Sequence, residues 1–326
     1  MDKKSLPKIY FAPLQESTDH IYRSSHAKFF GGADKYFAPY IVRQNDGTVK
    51  NSHLRDISPI NNRDYPLVPQ ILAGNSADFL FLARLLQDNG YREINWNLGC
   101  PYPMVTNKGL GSGLLPFPDR IRTILEASLP KIECQVSVKM RSGLHSDDEI
   151  FQLIDLLNDF PLCEVILHPR IAGQLYKGAP DEAVFARVKA QLKHHLVYNG
   201  DIESDEYFSR LNVLFSDTTT WMIGRGILKN PFLPLQLKTG AQPETGEKVD
   251  LLRNFHDEIF LNYSKLLSGS SHLLMKMNKF WSYFCFVFPD PHKTFKRIKK
   301  AANIAKYDAA VSENFQRLRY QPDDIK

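Results

Sequence analysis

Several common features are missing from this sequence. Among its 326 residues no apolar run approaches the ~18 residues of a membrane-spanning helix. No apolar leader-like region follows Met1-Asp2-Lys3-Lys4-Ser5, so neither a membrane partner nor a secretory leader is expected. Cysteine is scarce: Cys100, Cys134, Cys163 and Cys285 lie far apart, with no CxxC pair. That spacing argues against a zinc site or any other metal centre and fits a reducing, cytoplasmic compartment. No strand-like segment runs into a GxGxxG turn, which counts against a doubly wound dinucleotide fold. Low-complexity segments are absent, and the only internal repeat is a strand–helix unit.

The composition itself, 43% hydrophobic and 24% charged, is that of an ordinary globular protein, and a monomer is expected. Short apolar runs at 9–12, 36–40, 68–72, 93–97, 135–140, 164–168, 196–198 and 220–223 read as eight strands. Amphipathic stretches at 76–89, 119–127, 147–158 and 181–193 read as helices between them. Strand–helix alternation implies a parallel sheet, and eight units imply a closed (β/α)8 TIM barrel of α/β class over 1–240. Ala241-Gln242-Pro243-Glu244-Thr245-Gly246 reads as a linker, taken as 241–248. Residues 249–326 read as a small all-helical C-terminal domain, with Pro289-Asp290-Pro291 as a turn between helices.

Charge divides along the same line. The net charge is only +5, but residues 265–319 hold eleven Lys/Arg against three Asp/Glu, whereas residues 1–264 hold 29 against 31. A basic module on a nearly neutral body suggests a polyanion partner. The densest cluster is Lys293, Lys296, Arg297, Lys299 and Lys300, whose spacing sets most of them on one side of a helix.

Polar residues gather where the strands end. They are Gln15, Gln70, Asn97, Cys100, Lys139, Arg141, His168, Arg170, Asn199, Asp201 and Arg225. In barrels that rim carries the chemistry, and the loops after strands seven and eight frequently hold a phosphate. Backbone N–H groups of Gly200, Gly224 and Gly226, with Arg225, suit a phosphate monoester there. With Lys139 and Gln70 deeper in the barrel, the ligand suited is flavin mononucleotide: a cation near the ring stabilises its reduced anion, and an amide can donate and accept at the pyrimidine edge. Spacing alone equally serves a phosphosugar enzyme, or an aldolase using Lys139 as a Schiff base. Cys100, behind an apolar strand and beside Gly99, is either a packed thiol or an acid–base group.

Taken in order, these pieces resemble the tRNA-dihydrouridine synthases, FMN enzymes that reduce uridine in tRNA. The resemblance runs through nearly the whole barrel. It rests on Ala12-Pro13-Leu14 with Thr18-Asp19 and Arg23, on Gln70-Ile71-Leu72-Ala73-Gly74, and on Asn97-Leu98-Gly99-Cys100-Pro101. Further along it rests on Lys139-Met140-Arg141-Ser142-Gly143, His168-Pro169-Arg170 with Tyr176-Lys177-Gly178, Tyr198-Asn199-Gly200-Asp201-Ile202, and Met222-Ile223-Gly224-Arg225-Gly226.

The resemblance implies that NADPH (or NADH) reduces FMN, that hydride passes to C6 of the uracil, and that Cys100 protonates C5. It implies Lys139 and Gln70 at the isoalloxazine, with Pro13, Leu14 and Gln15 along it and His168 between ring and phosphate. Asn199, Gly200, Asp201, Gly224 and Arg225 would hold the ribityl phosphate. Asn97, Arg141 and Arg170 would lie near the substrate base or tRNA backbone, and the basic tail would bind tRNA. Two departures stand out: Leu14 and Glu16 occupy places where the family usually has Met and Gly, and Gly113 stands where it usually has Ala. A flavin oxidoreductase acting on a free pyrimidine or an enone, and a non-catalytic RNA-binding barrel, are the competing readings.

Overall fold

The computed structural model describes residues 6–241 and 243–320. Residues 1–5 of the expected barrel, Gln242 of the expected linker and residues 321–326 of the expected helical domain lie outside the described residues.

All strands pair in parallel, in nine ladder segments. They are β1 (Lys8–Phe11), β2 (Lys35–Phe37), β3 (Leu67–Val68 and Gln70–Ile71), β4 (Glu93–Leu98), β5 (Gln135–Gly143), β6 (Val165–Ile171), β7 (Leu196–Tyr198) and β8 (Thr220–Ile223). The two parts of β3 flank Pro69, which has no N–H to give to a ladder, so one strand is recorded as two. The first part pairs with β2 and the second with β4, and the Pro69 carbonyl still accepts from Asn95 N at 2.9 Å. The sheet therefore closes through Pro69, giving the eight-stranded barrel that the alternation implies. β5 is longer than its apolar run because a register shift between Arg141 and Gly143 lets it continue past the barrel rim.

Side-chain alternation sorts the barrel. Tyr10, Phe37, Val68, Ile166, Val197 and Met222 point inward and fill it. Phe11 on β1 points outward into the layer of helices, against Tyr22, His26 and Tyr36. Helices start where a side chain caps them: Asp19 for His20–Phe29, Asn75 for Ser76–Asp88, Asp181 for Glu182–Lys189 and Ser204 for Asp205–Leu214. The N-terminal end of the barrel is closed by ions: Tyr10 Oη donates to Glu164 at 3.0 Å, and Lys35 pairs with Glu93 at 2.7 Å and Glu164 at 3.4 Å.

The C-terminal region is helical, in Thr245–Leu266, Ser270–Phe284, Pro291–Lys299 and Ile304–Tyr320. The first of these begins inside the stretch read as linker. Pro289-Asp290-Pro291 forms the turn expected of it, with the Asp290 carboxylate accepting from Lys293 N at 3.0 Å. Phe255 joins this region to the barrel: its ring meets Tyr22 and Phe30 on one side, at 5.4 and 4.9 Å, and Phe280 and Phe284 on the other, at 5.9 and 6.0 Å. No helix among the described residues is long and apolar enough to cross a membrane.

Because Phe255 is wholly buried between two groups of aromatic rings, Phe255→Ala leaves a cavity that neither side can fill. It is expected to cost about 3–5 kcal/mol of folding free energy, measured by denaturant unfolding. A loss under about 1 kcal/mol would mean that the two regions do not depend on this contact.

Candidate active site

The strands' C-terminal ends open onto a cleft with two joined chambers. The larger, about 820 Å³ counted out to its mouth, is lined by Pro13, Leu14, Gln15, Gln70, Asn97, Cys100 and Arg141. The smaller, about 470 Å³, is lined by Asn199, Gly200, Asp201, Gly224 and Arg225. Lys139, His168 and Tyr176 line both. The structure thus gathers on one cleft every residue that the sequence assigns to a cofactor or to proton transfer.

A chain of amides and hydroxyls sets the floor. Asn95 and Asn97 on β4 share a face with Gln70 on β3 and Ser137 on β5. Asn97 Nδ2 donates to Gln70 Oε1 at 2.7 Å, Gln70 Nε2 donates to Asn95 Oδ1 at 2.7 Å, and Asn95 Nδ2 donates to Ser137 Oγ at 2.9 Å. Asn97 Oδ1 then accepts from the backbone N–H of Gly99 and Cys100, at 3.0 and 2.9 Å. Gln70 is buried and held at both ends of its amide, yet keeps one N–H and one lone pair for a ligand. Asn97 is therefore the brace that orients Gln70 and the Cys100 loop together.

Cations outnumber anions on the walls. Asp201, at φ 43°, receives Arg170 Nη1 at 3.0 Å, Arg170 Nη2 in a short contact, and Arg225 Nη2. Burial works to raise its carboxyl, but the two guanidinium groups outweigh it and hold the group below the usual carboxylate range. Glu203, the other acid on this wall, is taken by Lys229. Lys139 has no hydrogen-bond or ion-pair partner among the described residues. Burial, with Arg141 nearby, lowers its ammonium to about 7. His168 is pushed well below its ordinary value by burial and then by Arg141, Lys139, Arg170 and Arg225, so it is neutral. Its Nε2 lies 3.0 Å from Arg170 Nη1, which can only donate. Nε2 is then the acceptor, and Nδ1 carries the proton.

Cys100 is buried beside Leu72 and Val105. Burial pushes its thiol up from the ordinary value, while the Tyr102 N–H, the Tyr40 hydroxyl, Arg141 and Lys139 pull the other way. The net direction is upward, so Sγ holds its proton at neutral pH. The Gly-rich segment beyond it works by close approach: at Gly111, φ 57°, an added Cβ would stand 2.8 Å from Cys100 O, and Ser112 Oγ donates to that same oxygen at 2.9 Å.

Several of these residues also carry structural contacts. Arg170 does not line the cleft: it is fully buried under it, holding Asp201 and the Gly178 carbonyl. Asp201 lines the cleft and pairs with Arg170 and Arg225. Arg141 spends its donors on the carbonyls of Gly99, Ile171 and Leu175, at 3.2, 2.9 and 2.7 Å, and so ties two loops together at the mouth. Gly226 is a packing glycine, since an added Cβ would sit 2.1 Å from Ile202 O. At Gly113 an added Cβ would be 2.5 Å from Thr106 O, so alanine is not the small change there that its size suggests. In the tail, Arg297 is engaged with Glu313 at 3.1 Å and Asn314 at 3.0 Å, whereas Lys293, Lys296, Lys299 and Lys300 are exposed.

Sequence reading passed over Asn95, Ser137, Tyr40, Lys279 and Tyr283. Asn95 and Ser137 carried a signal, being two residues before Asn97 and Lys139 on the same strands. Lys279 and Tyr283 carried none, because only packing brings their helix to the cleft.

The raised thiol gives a direct check. Iodoacetamide labelling of Cys100, followed by the mass of its peptide, is expected to stay slow through neutral pH and to climb only in the alkaline range. Fast labelling at pH 7 would reveal a thiolate and remove its proton-donor character.

Comparison with known proteins agrees with this geometry. A family model described as dihydrouridine synthase (Dus) matches residues 10–316. A probable tRNA-dihydrouridine synthase of Rhodobacter capsulatus is 26% identical over 80% of this chain and 80% of its own length. A tRNA-dihydrouridine synthase B of Xanthomonas campestris is 27% identical over 70% of this chain and 68% of its own. One from Vibrio cholerae is 32% identical over 46% of this chain and 47% of its own. Among solved structures, a morphinone reductase mutant in complex with tetrahydroNAD aligns with TM-score 0.52 at 12% identity, over 74% of this chain and 89% of that one. Histamine dehydrogenase from Rhizobium sp. 4-9 aligns with TM-score 0.55 at 9% identity, over 72% and 46%. These two likenesses show the barrel fold alone. With the family model spanning nearly the whole chain, this protein belongs to the dihydrouridine synthase family.

Proposed function

We propose that this protein is a tRNA-dihydrouridine synthase that binds FMN and reduces the C5–C6 double bond of a uridine in tRNA. One observation carries the reading: a protonated, buried thiol shares a cleft with an unpaired lysine and a surplus of arginine. Such a cleft calls for an anionic ligand beside a proton donor.

The residues present fit FMN. Arg225 and the unpaired N–H groups at the start of the helix Arg225–Lys229 suit its phosphate, with Asn199 and Gly200 on the same wall. Lys139 and Gln70 suit the ring, with Pro13, Leu14 and Gln15 along it, and the Nδ1–H of His168 is a further donor between the two ends. Bound FMN, fed by NADPH or NADH, supplies the hydride that C6 of the uracil takes up.

The protein's own part is positioning and proton transfer. Asn97 fixes the Cys100 loop while holding Gln70, so that proton donor and ring site keep a set separation. Burial keeps the proton on Sγ until it passes to C5. The Tyr102 N–H, the Tyr40 hydroxyl, Arg141 and Lys139 then stabilise the thiolate left behind, the same groups that oppose the upward push on the free thiol. Lys139 at about 7 is partly charged at neutral pH and becomes more so beside an anion. A uridine must leave its stack to reach Cys100. Exposed Lys293, Lys296, Lys299 and Lys300 suit the phosphate backbone of the tRNA, in a helical domain at 249–326 attached to a catalytic domain at 1–240.

Two measurements test this. Cys100→Ala is expected to keep FMN and tRNA binding while slowing uridine reduction about 10²–10⁴-fold, measured as dihydrouridine in tRNA by mass spectrometry. Full activity would remove the acid assignment, and turnover on free uracil but not on tRNA would point to a small-molecule reductase. Replacing Lys293, Lys296, Lys299 and Lys300 together with Gln is expected to weaken tRNA binding and flatten its salt dependence, leaving FMN binding intact. An unchanged salt slope would mean that tRNA is anchored elsewhere.

A further inference from the structure

The loop Pro13–Asp19 carries four residues of the cleft wall, Pro13, Leu14, Gln15 and Ser17, and its conformation is unusual. Glu16 has φ 65°, in the left-handed region that glycine adopts freely and a glutamate adopts at a cost. Within the loop, Ser17 N and Thr18 N both donate to Leu14 O at 3.0 Å and Leu14 N donates to Thr18 Oγ1 at 2.8 Å, closing a tight turn that has Glu16 as its third residue. What meets Glu16 comes from the distant helix Ser270–Phe284. Lys276 Nζ donates to the Glu16 carbonyl at 2.7 Å and pairs with Asp19 Oδ2 at 2.8 Å. Asp19 is held a second time, by Tyr263 Oη at 2.8 and 2.9 Å, while it caps the helix His20–Phe29.

We propose that Lys276 is a positioning residue for the flavin site: it locks Glu16 in the left-handed conformation, and so sets the wall formed by Pro13, Leu14 and Gln15. The proposal rests on the reading of the cleft as an FMN site. Lys276 and Asp19 are each about a quarter exposed or less at the side chain, so their pair is shielded, whereas the Lys279–Glu16 pair at 3.9 Å is open to water and contributes little. One ammonium therefore does two things at once, satisfying a carbonyl turned outward by the left-handed residue and a carboxylate three residues later. The consequence is that the ring site of the barrel takes its shape from a residue of the C-terminal helical region. A Gly at position 16 needs no such lock, because the left-handed turn is then free of steric cost.

The test is a double-mutant comparison read by FMN affinity, from quenching of flavin fluorescence on binding to the full chain freed of bound nucleotide. Lys276→Met is expected to weaken FMN binding about tenfold. Glu16→Gly alone is expected to keep wild-type affinity, and the double variant Glu16→Gly/Lys276→Met to recover it to within about twofold. A purely stabilising role for Lys276 would lower the melting temperature but leave no glycine rescue. Unchanged FMN affinity in Lys276→Met overturns the proposal, as does a double variant no better than the single one. If Lys276→Met does not fold, Lys276→Leu, which likewise removes the donor, is read by the same criteria. A wild-type chain that takes up no FMN overturns the cofactor reading as well, whereas normal uptake with no effect of Lys276 overturns this inference alone.

Discussion

Four basic side chains, Lys139, Arg141, Arg170 and Arg225, crowd a desolvated barrel mouth in which Asp201 pairs with only two of them, Arg170 and Arg225. This imbalance governs the rest of the site. Positive charge held out of water must find partners, and the partners available here are mostly carbonyl oxygens. Arg141 takes three of them and thereby binds the Cys100 loop to the loop after β6. Arg170 takes Asp201 and Gly178, and its donor character forces His168 into one neutral tautomer. Lys139 has no partner among the described residues, and burial with Arg141 nearby lowers its ammonium.

The thiol is tuned by the same field from the opposite direction. Burial pushes the Cys100 thiol up, while the Tyr102 N–H and Tyr40 hydroxyl, and after them Arg141 and Lys139, draw it down. Their combination leaves it protonated but able to release its proton into a positive environment. That balance suits a donor to carbon better than it suits a nucleophile, whose activation needs a depressed pKa.

The helical region is more than an attachment. It shares the aromatic core around Phe255 with the barrel, and its helix Ser270–Phe284 brings Lys279 and Tyr283 to the cleft and Lys276 to the loop beside it. A surface suited to a polyanion and a cleft suited to a small anion are thus joined through packed side chains rather than through a flexible tether.

Much of this was legible in the chain itself. Strand–helix alternation determined the barrel, since a period of two followed by a period of 3.6 admits few other arrangements. The strand ends named the cleft residues, because in a parallel barrel all strands deliver their last residues to one rim. Basic residues at 265–319 marked a polyanion surface. What tertiary structure alone decided is which of these groups are free. Arg170, Arg297 and Asp201 look as available in sequence as Lys296 and Lys139 do. Only the folded chain pairs the first three with one another or with neighbours and leaves Lys139 and Lys296 without partners among the described residues, because ion pairing depends on distances between residues far apart in sequence. For the same reason Glu16 reads as an intrusive charge in the sequence and as a left-handed turn held from another helix in the structure.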